Sequence, residues 1–146
     1  MNEFTIITHI GRPAGDVFTA ITDVARTPVW TPGLTEAHQT SQGPLRPGTT
    51  LVYAGTFLGR RYTSPVVCTG LTPGKRFATK TTAGPFYLEV EVTLEPSADG
   101  TRVINTCRGE SRGFFKLAEP LVVRLTRKQT EAAFDNLRML LEEEAL

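Results

Sequence analysis

Polar and apolar positions alternate along much of this chain, and the places where the alternation changes period mark its elements. Phe4, Ile6, Thr8 and Ile10 alternate with Thr5, Ile7 and His9, a period of two that predicts a strand with one apolar face. Gly11 ends it. Pro13 suits a first helical turn, Asp16 suits the positive end of a helix, and Val17, Phe18, Ala20 and Ile21 fall at helical spacing, so a short helix follows. Asp23 reads as the N-cap of a second brief helical turn through Val24 and Ala25, which Pro28 and Pro32 stop.

From about Thr35 to Ser111 the punctuation is that of a β-meander. Turn signals stand at Pro47-Gly48, Leu58-Gly59, Pro73-Gly74, Gly84-Pro85 and Asp99-Gly100, with strand-like segments between them. The clearest segment runs from Phe86 to Glu95. Phe86, Leu88, Val90, Val92 and Leu94 share one face, and Tyr87, Glu89, Glu91, Thr93 and Glu95 the other. Beyond the Asp99-Gly100 turn, Arg102 and Arg108 share a face that opposes the outward glutamates, which turns Val103, Asn105 and Cys107 inward.

The chain from Leu117 to Leu146 contains no glycine, and Pro120 stands where a helix start tolerates it. One long C-terminal helix is predicted. Its apolar stripe is Leu121, Leu125, Ala132, Ala133, Leu137, Leu140 and Leu141, interrupted by Gln129 and Asn136. One strand, two short helices, about six further strands and a long helix do not alternate as a parallel doubly wound sheet requires. The fold class is α+β: a curved antiparallel sheet of about seven strands wrapped around the helix, with room for an internal cavity where the helix does not fill the curve.

Length and composition narrow the function. The chain has 146 residues, enough for one domain spanning residues 1–146 with one core. Hydrophobic residues make up 40 % and charged ones 21 %, which excludes a disordered tail. A net charge of +1 gives no global field for nucleic acid or an anionic membrane surface. No apolar run approaches the roughly 20 residues of a membrane span, and no leader pattern opens the chain. Cys68 and Cys107 lack the number and spacing of a disulfide framework and read as buried free thiols of a cytoplasmic protein.

The segment from Ile10 to Phe18 (IGRPAGDVF), then Ile21 to Asp23 and Pro28 to Trp30, resembles the N-terminal signature of the START-like, helix-grip superfamily, also called SRPBCC. Gly113 to Leu121 (GFFKLAEPL), followed by Asn136-Leu137 and Leu140 to Glu142, is similar to the C-terminal helix of its polyketide cyclase/dehydrase-like branch. Leu94 to Pro96 and Gly100-Thr101 stand where such proteins have their last hairpin. The resemblance covers nearly the whole chain and implies the helix-grip fold. It rests on turns and core positions, which identify chemistry less well than fold.

Motifs for strong chemistry are lacking. His9 and His38 both read as solvated, and no Cys/His cluster has metal-ligand spacing, so neither a metal nor another cofactor is expected. Nucleophile-elbow, P-loop and dinucleotide motifs are absent. Asp16, Asp23, Asp99 and Asp135 suit caps, turns or surface. What remains is a set of polar groups that periodicity aims at the concave face. Tyr53 shares parity with Leu51 and Phe57, Tyr62 and Ser64 with Val66 and Cys68, and Asn105 and Cys107 with Val103, while Gln129 interrupts the helix stripe. With Trp30, Val90 and Ala133 they form the candidate ligand-binding set. Each singly also fits core packing with a local hydrogen bond.

Trp30 serves either as a lid over the sheet end or as an aromatic wall at a cavity mouth. Arg60, Arg61 and Arg112 flank possible entrances, where they suit a carboxylate or phenolate as well as plain solvent. Phe114 to Leu117 suit a gate or ordinary packing. The leading expectation is a monomeric or homodimeric binding module for an apolar or amphipathic small molecule, such as a polyketide, lipid or other ring-containing metabolite. The resemblance also implies an aromatase/cyclase or dehydratase, with Tyr53, Tyr62, Ser64 and Arg61 as candidate catalytic groups. Some relatives regulate chaperones, but no apolar surface stripe in the sequence points to an interaction protein.

Overall fold

The computed structural model describes residues 2–143. Strand β1 (Asn2–Ile10) leads into α1 (Ala14–Thr22), a 3-10 turn (Val24–Arg26) and the single-turn helix α2 (Thr27–Trp30). Six strands follow: β2 (Leu34–Gln39), β3 (Thr50–Phe57), β4 (Arg60–Thr72), β5 (Arg76–Thr81), β6 (Phe86–Ser97) and β7 (Gly100–Ser111). A 3-10 segment (Gly113–Ala118) then delivers the chain to α3 (Glu119–Glu142). The seven strands form one antiparallel sheet in the order β1-β7-β6-β5-β4-β3-β2. The α+β helix-grip class is therefore observed.

Alternation sets the strand faces as expected. In β1, Phe4, Ile6 and Ile10 are buried while Thr5, Ile7 and His9 face out. On the outer face, Arg102 pairs with Glu95 at 2.8 Å and Arg108 approaches Glu89 at 3.7 Å. Bulges between Leu34 and Glu36 and between Cys68 and Gly70 break the register and bend the sheet. The β3–β4 hairpin turns on Leu58 and Gly59, both at positive φ (50° and 75°), the backbone that matches the twist of a two-residue hairpin.

Three sequence expectations need correction. Asp23 precedes the 3-10 turn without making a side-chain cap bond, and Pro28 lies in the first turn of α2, so it starts that helix instead of stopping its predecessor. The long helix begins at Glu119, because residues 113–118 wind as 3-10 and Pro120 occupies its first turn; residues 144–146, into which the helix was expected to extend, lie outside the described residues. Its buried positions are Val122, Ala133, Phe134, Leu137 and Leu141, whereas Leu121 is exposed. The inward face is thus rotated by about one residue at the helix start.

The main core gathers Ile10, Val17, Leu51, Val103, Leu137 and Leu141 with Trp30 and Phe134. A smaller aromatic cluster of Phe57, Phe86, Phe115 and Val122 closes the other end of α3. Between β3 and the loop after α2 the backbones nearly touch: a Cβ on Gly55 would stand 2.2 Å from the Gly33 carbonyl oxygen. Gly55→Ala must push that loop away from the sheet, a loss expected at roughly 1–3 kcal/mol. Gly15→Ala in α1 meets no atom within 4 Å and should be neutral or stabilising by up to about 1 kcal/mol. Thermal and urea denaturation of the two variants checks the opposite signs.

Candidate functional site

Between the two core clusters, the concave face of the sheet and the middle of α3 bound a half-open cavity of about 300 Å³, at the lower end of the size range of small-molecule sites. Its walls are mainly apolar: Phe77, Leu88, Val90 and Val92 from the sheet, Val122 and Phe134 from α3, and Trp30 from α2. Where α3 crosses this space it presents the short side chains of Thr126, Thr130 and Ala133. Strand alternation brings Tyr53, Tyr62, Ser64, Asn105 and Cys107 to the same walls, and Gln129 lies at their edge. All nine residues singled out from the sequence meet there.

Their chemistry differs. Asn105 is 3 % exposed, and its Oδ1 has no hydrogen-bond partner. The same holds for Trp30 Nε1 and Thr31 Oγ1, which also border the cavity. A buried polar atom left unpaired costs roughly 1–3 kcal/mol, and for these three the protein supplies no partner among the described residues. Trp30 is not free to swing: its ring packs on Phe134 at 5.6 Å, and Asn136 Nδ2 donates to its carbonyl at 3.1 Å. Gln129 is committed elsewhere, its Nε2 donating to the Pro32 carbonyl. Cys107 packs with Phe4 and Ile6.

The interior is electrically quiet. Among the described residues Glu110 is the only carboxylate on the wall, and Lys116 stands 4.0 Å from it. Burial pushes the Tyr53 phenol from 10.0 up to about 12, with the nearby Cys68 thiol adding to the shift. Burial likewise raises Tyr62, and raises Cys107 from 9.0 to about 12. At neutral pH these groups are therefore protonated, able to donate a hydrogen bond and unable to act as bases. Among the described residues no group of three His, Cys, Asp or Glu side chains converges to hold a metal.

Arg61 departs from the expectation that it works with the tyrosines. It is exposed and lies in a separate surface groove with Arg60, Arg112 and Phe114, and Tyr62 borders both spaces. His9 and His38 are on the surface, in contact with Asp99 and Glu36 respectively. The sequence reading missed Thr27, Thr31, Thr79, Thr126 and Thr130, all on the cavity wall. Inward parity marks Thr79 on β5 beside Phe77 and Thr81, but the loop and helix threonines carried no such signal.

The raised values fix the sign of a pH effect. The folded chain holds the Tyr53 and Cys107 protons to higher pH than the unfolded chain does. The stability linked to them is full below the unfolded values, near 9.0 for the thiol and 10.0 for the phenol, and is lost as pH rises toward about 12. An absorbance titration should show one phenol ionising near pH 12, a step that Tyr53→Phe removes, and denaturation midpoints should fall across the same window.

Similarity to known proteins agrees with this architecture. A protein of Thermus thermophilus superposes with a TM-score of 0.85 at 17 % identity, covering 99 % of this chain and 100 % of the other. The Zhui aromatase/cyclase of a Streptomyces species gives 0.85 at 13 % identity, covering 99 % and 96 %. A START superfamily protein of Mycobacterium smegmatis gives 0.82 at 16 % identity, with 97 % of each chain covered. At such identities the likeness is one of fold. No curated protein matches the sequence. Residues 1–142 match the family described as "Polyketide cyclase / dehydrase and lipid transport", and the chain belongs to that family.

Proposed function

We propose that the chain encloses one apolar or amphipathic small molecule, such as a polyketide, lipid or other ring-containing metabolite, between α3 and the concave face of the sheet. The observation that carries this reading is the mainly apolar cavity bordered by Trp30, Thr31 and Asn105, each of which has a buried polar atom without a protein partner. Apolar walls supply affinity through buried area, and a few fixed polar atoms orient the guest. Val90 and Ala133 contact its apolar body. Asn105, Tyr53, Tyr62 and Ser64 hydrogen-bond its oxygens. Because the wall is nearly free of charge, the favoured guest buries neutral carbonyl or hydroxyl groups. The free, buried Cys68 and Cys107 suit a reducing compartment, and we place the protein in the cytoplasm.

One observation favours a second reading, an aromatase/cyclase or dehydratase acting in the same space. Tyr53 and Tyr62 are protonated phenols on the cavity wall. A phenol hydrogen-bonded to a carbonyl stabilises the negative charge that develops on its oxygen during aldol cyclisation, with water taking the α-proton, and a cavity that folds the chain supplies proximity. Arg61 has no part in this reading, since it lies outside the cavity.

The test is titration with a neutral apolar fluorophore, Nile red, alongside candidate guests. Ala133→Trp fills the middle of the cavity and should lower affinity by at least about tenfold. Asn105→Leu removes the unpaired amide oxygen, so it should leave the fold intact or more stable by about 1 kcal/mol while weakening guests that carry a hydroxyl. Uptake by wild type no stronger than by Ala133→Trp contradicts the binding reading. Tyr62→Phe separates the two readings: loss of turnover by about a hundredfold with the fold retained identifies the enzyme, and guest binding weakened by no more than about tenfold, with no turnover in either form, identifies the carrier.

A further inference from the structure

The end of the molecule around the start of α3 has a surface unlike the rest. Four large apolar side chains are exposed there: Leu58 at 37 %, Phe114 at 46 %, Leu117 at 88 % and Leu121 at 43 %. The other exposed large apolar residues stand singly on β1, on α2 and near the far end of α3. Phe114 and Leu117 are three residues apart in the 3-10 segment, where that spacing stacks side chains on one edge, and Leu121 continues the edge one turn into α3. The β3–β4 hairpin adjoins this ridge, with the Arg60 guanidinium 3.8 Å from the centre of the Phe114 ring.

Cations surround the ridge. Arg60, Arg61 and Arg112 border one groove with Phe114, and Arg124 is exposed one turn beyond Leu121. None of these four has a carboxylate within 4.0 Å among the described residues. The nearby carboxylates, Glu110 and Glu119, are both engaged by Lys116, at 4.0 and 3.1 Å. The net charge of +1 thus conceals a local excess of positive charge beside exposed apolar side chains. That pairing of features suits an interface with apolar material under an anionic layer.

We propose that this end of the molecule docks on the surface of an anionic lipid bilayer. Phe114, Leu117 and Leu121 enter the boundary between headgroups and acyl chains, and Arg60, Arg61, Arg112 and Arg124 hold the lipid phosphates. Directly beneath the ridge, Phe115 packs on Phe57 and Phe86, and both of those rings line the cavity. Docking therefore sets the aromatic wall of the cavity against the membrane, a source or sink for an apolar guest. The docking itself does not require that guest.

The experiment is flotation of the full chain with vesicles of phosphatidylcholine alone and of phosphatidylcholine with phosphatidylglycerol. The expected result is binding to the anionic vesicles that weakens with salt, and little binding to the neutral ones. Leu117→Ser with Leu121→Ser, and separately Arg61→Ala with Arg112→Ala, should each weaken it by about tenfold, while Ile7→Ser on the outer face of β1 leaves it unchanged. Leu117 and Leu121 do not line the cavity, so Nile red uptake in that double variant stays at the wild-type level and reports separately on the binding reading. Absence of flotation, equal binding to both vesicles, or equal loss in Ile7→Ser overturns the proposal. Sedimentation showing self-association that the leucine variant abolishes, without flotation, assigns the face to a second copy of the chain instead.

Discussion

A curved antiparallel sheet and a straight helix cannot stay in contact along their whole length unless the side chains between them grow where the surfaces diverge. In this protein they grow at the two ends of α3 and shrink in the middle. Leu137 and Leu141 enter the main core at one end, and Val122 meets the Phe57, Phe86 and Phe115 rings at the other. Between them α3 presents Val123, Thr126, Thr130 and Ala133 to the cavity, while the longer Gln129 is turned to the Pro32 carbonyl at its edge. At about 1.5 Å per residue, the 24-residue helix spans about 36 Å, long enough to be anchored at both ends around an unfilled middle. The cavity follows from this distribution of side-chain volume, with the bulged strands supplying the curvature.

Anchoring at both ends also explains how the fold tolerates polar groups inside. Trp30 packs on Phe134, its backbone carbonyl accepts from Asn136, and its indole N–H is buried without a partner among the described residues. Asn105 is fixed by its place on β7 between Ile6 of β1 and Val92 of β6. The protein itself gives these atoms no partner, so water or a guest of complementary polarity can supply one. Burial keeps the phenols of Tyr53 and Tyr62 protonated, so the interior offers mainly neutral hydrogen bonds, with Glu110 the one carboxylate on the wall among the described residues.

The parts of this arrangement legible in the sequence are those governed by strand parity. Alternation in β1, β6 and β7 settles which side chains face inward, and it places Asn105 and Cys107 correctly because both neighbouring strands leave that face no alternative. Helix α3 is harder at its start, where Leu121 and Val122 are adjacent in sequence and both apolar: Val122 is buried, Leu121 is exposed, and Leu125 packs partly buried against the same aromatic cluster as Val122. Which of the two adjacent side chains turns inward depends on the angle at which the 3-10 segment delivers the chain, a tertiary property. Pro28 misled for a related reason, since proline both stops and starts helices and only the surrounding path distinguishes the two. The gathering of Arg60, Arg61 and Arg112 joins residues about fifty positions apart, and no local pattern announces that they share a groove with Phe114.

The central claim is that an open space between α3 and the sheet holds one apolar molecule, and native mass spectrometry of gently purified protein tests it most directly. The account predicts a folded species heavier than the bare chain by a single small molecule, which denaturing extraction releases and which an excess of Nile red displaces. A folded protein found only at the mass of the bare chain, with no added apolar compound retained, would contradict it.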